Sequence, residues 1–243
     1  MTEKPVEVDK LDQPLPLWWV LGMLIVLTLF MSLLVFPLAG NWRWVEGWVF
    51  IISFMVNYSI SIVMMNQKNP RVLRNRSKIR KEGLTEKTRQ AAGSDRFIFP
   101  LIGIGFYGAI IVAALGERFG WYALPFGAAL VGALLMNIGL VLVNMATLQN
   151  AFASKILDIN KDQVLVDRGL YAHVRHPLYA GGIIMALFMP IALGSLWGAI
   201  PAAVAALMLV LRIEFEEEML LKGMVGYEDY RSRVKFKLIP TIY

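Results

Sequence analysis

The fold class this sequence predicts is an all-α integral membrane protein of about six transmembrane helices, the last two closing as a tight hairpin. Three observations predict it. Apolar runs of about 20 residues recur, each long enough to cross the ~30 Å hydrocarbon layer as a helix. Of the 243 residues, 57% are apolar and only 17% charged, with a mean hydropathy of +0.57, unlike a soluble domain. The positive charge alternates: segments that the spans would place on one side hold 22 Lys and Arg, those on the other only Arg43 and Arg118.

The elements follow in order. Residues 1–16 form a polar arm broken by Pro5, Pro14 and Pro16, without the charge, apolar and cleavage order of a secretory signal, so the first apolar run reads as a retained helix. That run spans about Leu17–Leu38, with Trp18 and Trp19 as interfacial aromatics. A short loop with Asn41 and Arg43 leads to a second span, Trp44–Met65. Segment 66–96 carries ten Lys or Arg against three acids, a surplus of seven that exceeds the +6 of the whole chain. A third span, Phe97–Leu115, and a fourth, Trp121–Ala146, flank a turn holding Glu117 and Arg118. Small residues four apart, Gly105/Ala109 and Ala128/Gly132, suit close helix contacts. Asn137 and Asn144, seven apart on one face of the fourth span, suit hydrogen bonds between helices.

The polar segment 147–176 precedes two shorter apolar helices, Pro177–Leu193 and Trp197–Leu211, joined by Gly194-Ser195. The fifth would be only about 24 Å long at 1.5 Å per residue, short for a crossing, hence the hairpin. The sixth is expected to continue beyond the membrane through Glu216–Leu221. Three regions result: the arm 1–16, a four-helix body 17–146 with the basic loop 66–96, and a C-terminal region 147–243. The positive-inside rule then places both termini and the two long loops in the cytoplasm. The basic loop lacks interleaved aromatics, so it suits anionic lipid headgroups and not nucleic acid. Oligomeric state is not legible.

Cysteine is absent, which excludes disulfides and thiol chemistry in this chain, and no metal site is predicted. Gly103-Ile104-Gly105-Phe106-Tyr107-Gly108 has the letters of a dinucleotide fingerprint but sits inside an apolar helix without a preceding strand, so it carries no such function. The chemistry gathers in the last third. Both histidines lie there, in Gly169-Leu170-Tyr171-Ala172-His173-Val174-Arg175-His176-Pro177-Leu178-Tyr179-Ala180-Gly181. Proline suits a first helical turn, and Arg, His and Tyr are ordinary interfacial anchors, so a structural role stands beside a functional one. The same helix start offers free N–H groups to an anionic ligand.

Arg212 and Glu216 stand four apart on one helical face. A plain ion pair explains them, although the acid lies toward the C-terminal end that the helix dipole disfavours. Four acids within Glu214–Glu218 suit a cationic ligand. Gly226-Tyr227-Glu228-Asp229-Tyr230-Arg231-Ser232-Arg233-Val234 reads as a tail helix anchored by its tyrosines.

Together Gly169-Leu170-Tyr171, Val174 through Gly181, Arg212 with Glu216-Glu217, Gly226 through Tyr230, Arg233-Val234 and Leu238-Ile239-Pro240 resemble the isoprenylcysteine carboxyl methyltransferase family. Its prokaryotic relatives are similar to phospholipid N-methyltransferases. The likeness runs from about Asn144 to the C-terminus; the first four spans match only in character. It implies a membrane-embedded methyltransferase that uses S-adenosyl-L-methionine in a cytoplasmic pocket built by the C-terminal region. By the resemblance, Gln163, Val164, Leu165, Val166, Tyr171, His176, Pro177, Leu178, Tyr179 and Glu216 line that pocket, and Arg212 and Arg175 form the catalytic set, Arg212 facing the acceptor. The acceptor is expected to be a lipophilic molecule or lipid reached from the bilayer. A carboxylate needs docking by a cation and no general base, whereas an amine must first lose a proton. The alternatives are an amine N-methyltransferase, an NADPH-dependent membrane reductase and a scaffold without activity.

Overall fold

The protein is described from a computed structural model covering residues 13–70, 73–74, 95–121, 123–150 and 165–242. Apolar side chains and the need to satisfy every backbone amide away from water make helices the natural element here. Among the described residues, four helices are long and apolar enough to cross a membrane. They are α1 (Leu17–Ala39), α2 (Val45–Lys68), α3 (Asp95–Arg118) and α4 (Phe126–Gln149). The shorter apolar helix α5 (Pro177–Ala192) and the longer α6 (Ala199–Gly223) follow, and α7 (Tyr227–Arg233) closes the chain. Beyond an isolated bridge between Ala123 and Ser195, no strand occurs among the described residues.

Helix ends obey local chemistry. α1 stops at Gly40, whose φ of 65° is left-handed and whose N–H bonds Phe36 O. The fourth span was expected from Trp121 but begins at Phe126. Pro125 disfavours helix in the residue before it, and Leu124 N–H bonds Gly194 O at 2.7 Å, tying this stretch to the α5–α6 turn. Gly194 makes that turn with φ 67°. α5 is short, as expected, and α6 runs on through Glu216–Leu221 before ending at Gly223.

The helices pack as a ring in the order α1, α2, α4, α5, α6, α3, with α5 touching α2 and α3 across it. The most extensive interface, α4 on α5, is made by glycine. A Cβ on Gly139 would lie 2.6 Å from Met185 N, and one on Gly181 2.6 Å from Gly139 O. Gly132 meets Ala192 in the same way, as the small-residue pattern predicts; its predicted companion Ala128 is only part-buried. Gly105, in the apparent dinucleotide motif, is a helix contact against Pro201 and Ala205 of α6. The main core joins Val35, Phe36, Phe50, Ala113, Met136 and Leu193.

Many large apolar side chains stay exposed on the outer helix faces, such as Leu21, Ile25, Leu33, Ile52, Ile60, Ile104 and Leu134. Such a continuous apolar perimeter suits lipid. Asn144 donates to Asn57 Oδ1 at 3.4 Å and to Ser61, and Asn57 donates to the Asn137 main-chain oxygen at 3.2 Å, so these asparagines do link α2 and α4.

Candidate active site

The site is assembled where three segments converge: the start of α5, the polar end of α6, and the tail that follows it. Gly169 opens a 3-10 turn, Gly169–Ala172, with φ 64°, and Leu170 N–H bonds Gln149 Oε1 at 2.9 Å, fixing the turn against the end of α4. Tyr171 is buried there, its phenol 3.5 Å from Ala146 O, and burial pushes that phenol up to about 12.

The chain then enters α5 under the tail. Arg175 N–H bonds Phe236 O at 2.9 Å, and His176 N–H bonds Lys237 O at 2.8 Å. Pro177 takes the first helical position, where no N–H is needed.

Glu217 is the hub. Arg175 forks onto it, Nε to Oε1 at 2.6 Å and Nη2 to Oε2 at 3.1 Å. His176 Nε2 lies 3.0 Å from Oε1, and the Tyr227 phenol donates to the same oxygen at 3.2 Å. Facing a carboxylate, Nε2 is the nitrogen that carries the proton. All three side chains of the Arg175–His176–Glu217 group are 4–6% exposed. Burial alone would raise the Glu217 carboxyl. The hydrogen bonds from His176 and Arg175, and their charges, outweigh it and hold the group at about 2. Burial and the neighbouring Glu217 push the Tyr227 phenol well up, so it stays a donor.

The guanidinium of Arg175 also donates through Nη1 to Val234 O at 2.7 Å and Lys235 O at 2.8 Å. Tyr230 adds a bond from its phenol to Tyr171 O at 2.7 Å. The tail is thereby stapled over the start of α5.

Beside this hub lies a second group. Glu216, one residue away on α6, accepts a hydrogen bond from the Tyr179 phenol, and no described cation pairs with it. Arg212 is 6% exposed, its guanidinium 5.6 Å from the centre of the Phe99 ring and 5.8 Å from that of Tyr179. Ile102, Leu209 and Ile213 pack around Tyr179.

The structure thus brings together Tyr179, Arg212 and Glu216, and next to them Arg175, His176 and Pro177. Arg175, expected in the catalytic set, directs its donors to Glu217 and to two tail carbonyls. The Arg212 guanidinium lies between Phe99 of α3 and Tyr179 of α5. Leu165 packs with Leu220, Tyr227, Tyr230 and Val234, so it supports α7, and Val166 and Leu178 are part-buried nearby in sequence. Gln163 and Val164 lie outside the described residues.

The acid cluster is less available to a ligand than its composition suggests. Glu214 pairs with Lys237 at 2.5 Å, Glu218 with Lys222 at 2.5 Å, and Glu217 with Arg175. Sequence reasoning missed Glu217 as the centre and Phe99 as a wall. The paired Glu216-Glu217 was the signal for the first; Phe99, in an apolar run, had none.

These features define a class: a helical integral membrane protein with a buried polar centre where its last two apolar helices meet the tail. Residues 129–222 match the isoprenylcysteine carboxyl methyltransferase (ICMT) family model. The matched segment starts higher in α4 than the sequence likeness suggested and stops before α7.

Among curated proteins, the protein-S-isoprenylcysteine O-methyltransferase of Schizosaccharomyces pombe is 36% identical over 85 residues, 33% of this chain. The matched part covers only 36% of that relative's length. Among solved structures, that of the eukaryotic intramembrane Ras methyltransferase ICMT aligns over 93% of this chain and 85% of its own, at 16% identity and a TM-score of 0.45.

Proposed function

We propose that the protein is an S-adenosyl-L-methionine-dependent methyltransferase whose acceptor is a lipophilic, membrane-embedded carboxylate. The observation that carries this reading is Glu216: a carboxylate with a phenol for partner and no described cation, inside the family-matched segment and one turn from Arg212. When bound, S-adenosyl-L-methionine supplies an electrophilic methyl group and carries positive charge. A carboxylate beside an aromatic ring fits such a cation. Glu216 and Tyr179 would hold it, with Tyr171, His176, Pro177 and Leu178 bordering the pocket.

Arg212 would dock the acceptor carboxylate. Its guanidinium is preorganised between two rings and can present paired N–H donors to two oxygens. Transfer between a bound donor and a docked carboxylate rests on alignment and exclusion of water, which the apolar packing around Tyr179 supplies. An amine acceptor fits less well, because it needs a base and His176 Nε2 is committed to Glu217.

Six crossings are proposed, the last two by the α5–α6 hairpin, with the polar end of α6 and the pocket on the cytoplasmic side. Residues 17–146 would be the membrane body and 147–243 the methyltransferase region. The experiment is transfer of labelled methyl in membranes containing the protein, together with calorimetry against S-adenosylhomocysteine. Label recovered in base-labile ester on a lipophilic product is the expected result. Label in a base-stable headgroup, or no binding of S-adenosylhomocysteine, overturns the reading.

A further inference from the structure

The guanidinium proposed to dock the acceptor is covered. Arg212 is 6% exposed and lies between two rings that differ in their surroundings. Tyr179 is buried, packs with Leu209 and Ile213, and is tied through its phenol to Glu216. Phe99 is 44% exposed, with its ring centre 5.6 Å from the guanidinium carbon of Arg212. One flank of that ring lies on the cation and the other is open. Its neighbours on α3, Ile98 and Ile102, turn inward and are buried with Tyr179 and Ile213. Among the described residues, Phe99 is thus the side chain that separates Arg212 from the exterior on the α3 side.

The backbone that carries this ring is less firmly tied than the helix beyond it. Pro100 follows directly, and its ring nitrogen offers no N–H to the carbonyl four residues before it. The turn holding Phe99 therefore has one hydrogen bond fewer to the body of α3. Farther along, the fit is close: a Cβ on Gly105 would lie 2.8 Å from both Ala205 N and Pro201 O of α6. Movement at Phe99 can occur while the α3–α6 contact at Gly105 stays in place.

A carboxylate that approaches Arg212 from the α3 side meets the Phe99 ring before it meets the cation. A ring holds a guanidinium less strongly than paired hydrogen bonds from a carboxylate do, so an acceptor that brings a carboxylate can displace it. We propose that Phe99 is the specificity-determining gate of the acceptor site. Its ring swings off Arg212 to admit the carboxylate and then borders whatever is attached beside that group. Lipophilic carboxylates with a small neighbouring substituent are admitted, and those with a bulky one are excluded. The inference rests on the reading of Arg212 as the acceptor dock, but its first test does not use that chemistry.

Membranes containing the protein are treated with phenylglyoxal, an apolar reagent for guanidinium groups, and modification of Arg212 is followed by peptide mass spectrometry. The exposed Arg43 and Arg118 serve as internal references. Phe99→Ala should raise the rate at Arg212 several-fold relative to them, and Phe99→Trp should lower it. Phe99→Leu keeps an apolar side chain beside Ile102 and should change the rate in the same direction as Ala, which guards against loosening of α3. A rate that none of these variants alters overturns the gate. The second test reads selection. Turnover is measured with S-farnesylcysteine bearing an N-acetyl, N-butanoyl or N-benzoyl group beside its free carboxylate. Wild-type turnover should fall along that series. Phe99→Leu should relax the preference by roughly tenfold, the discrimination a methylene or so gives in an apolar pocket. An active variant with the wild-type preference overturns the proposal even where Arg212 labelling has risen, because the ring then covers without selecting. If neither protein methylates any of the three, the carboxylate reading itself fails and the gate falls with it.

Discussion

At the scale of single residues, two neighbours on α6 have different roles. Glu217 is saturated by Arg175, His176 and Tyr227, while Glu216 meets only the Tyr179 phenol. Glu216→Gln keeps the shape and the hydrogen bond but removes the charge. It should weaken S-adenosylhomocysteine binding by about 1–3 kcal/mol, the scale of hydrogen bonds to charged groups, with little change in melting temperature. Isothermal calorimetry checks this, and unchanged affinity would remove Glu216 from the pocket.

Arg212→Lys is the matching test of acceptor docking. A lysine retains the charge but has neither the planar fork nor the flat face that sits between Phe99 and Tyr179. It should leave cofactor affinity within about twofold and lower turnover at least tenfold, since one misplaced ångström at a reacting centre is worth up to ~10². If instead Arg212 is only a partner for acids on its own helix, lysine serves equally and turnover is unchanged.

At the scale of elements, the tail is held to the start of α5 by one buried carboxylate, which makes that junction sensitive to acid. Glu217 is held at about 2 in the folded protein, below the ordinary glutamate range near 4.3. Its contribution is therefore complete above about pH 5, and is lost as pH falls through the interval down to about 2. Acid should release α7 and residues 234–238 from α5 over that interval, before the membrane helices melt. Proteolysis after Arg231 or Arg233, followed against pH, reads this. Arg175→Met should show the same release at neutral pH, because removing one partner of a buried pair costs about 3–5 kcal/mol. A tail that stays protected in Arg175→Met would mean that Tyr227, Tyr230 and the backbone bonds to Phe236 and Lys237 suffice.

Much of this architecture was legible in the sequence, for a physical reason. Hydrocarbon thickness dictates runs of about 20 apolar residues, so the helices announce themselves, and Gly105 and Gly132 of the small-residue pairs do make close helix contacts. The Trp121 start was misread because its neighbours are apolar; Pro125 and the pairing with Gly194 decided it. The Glu217 hub was hidden because its partners lie at the start of α5 and in α7, up to 42 residues away, and local periodicity carries no information on such convergence. Phe99 gains its role only through the packing of α3 on α6.

At the scale of the whole molecule, the two ends of the ring of helices differ in character. An even number of crossings puts both ends on one side, and among the described residues four helices are long and apolar enough to cross unaided. The α5–α6 hairpin supplies the remaining two only if α5, at 16 residues, spans with its flanks. Two facts support that it does. The α5–α6 turn packs with the start of α4 through Leu124 and Gly194, and Gly194 also approaches Glu46 at the start of α2. The turn thus lies at the same end of the ring as Trp44 and Trp121. The opposite end carries Gln149, Arg175, the acids of α6 and the tail.

With 22 Lys and Arg in the segments attached to that second end against two at the first, we propose on the positive-inside rule that it faces the cytoplasm. Reporters fused after Lys81 and at the C-terminus should be cytoplasmic, and reporters at Arg43 or Arg118 external. The C-terminal fusion is the decisive one. If it reads external while the one at Lys81 reads cytoplasmic, the hairpin does not return across the membrane. The α5–α6 turn would then have to part from the ends of α2 and α4, and the buried staple between Arg175, Glu217 and the tail could not form.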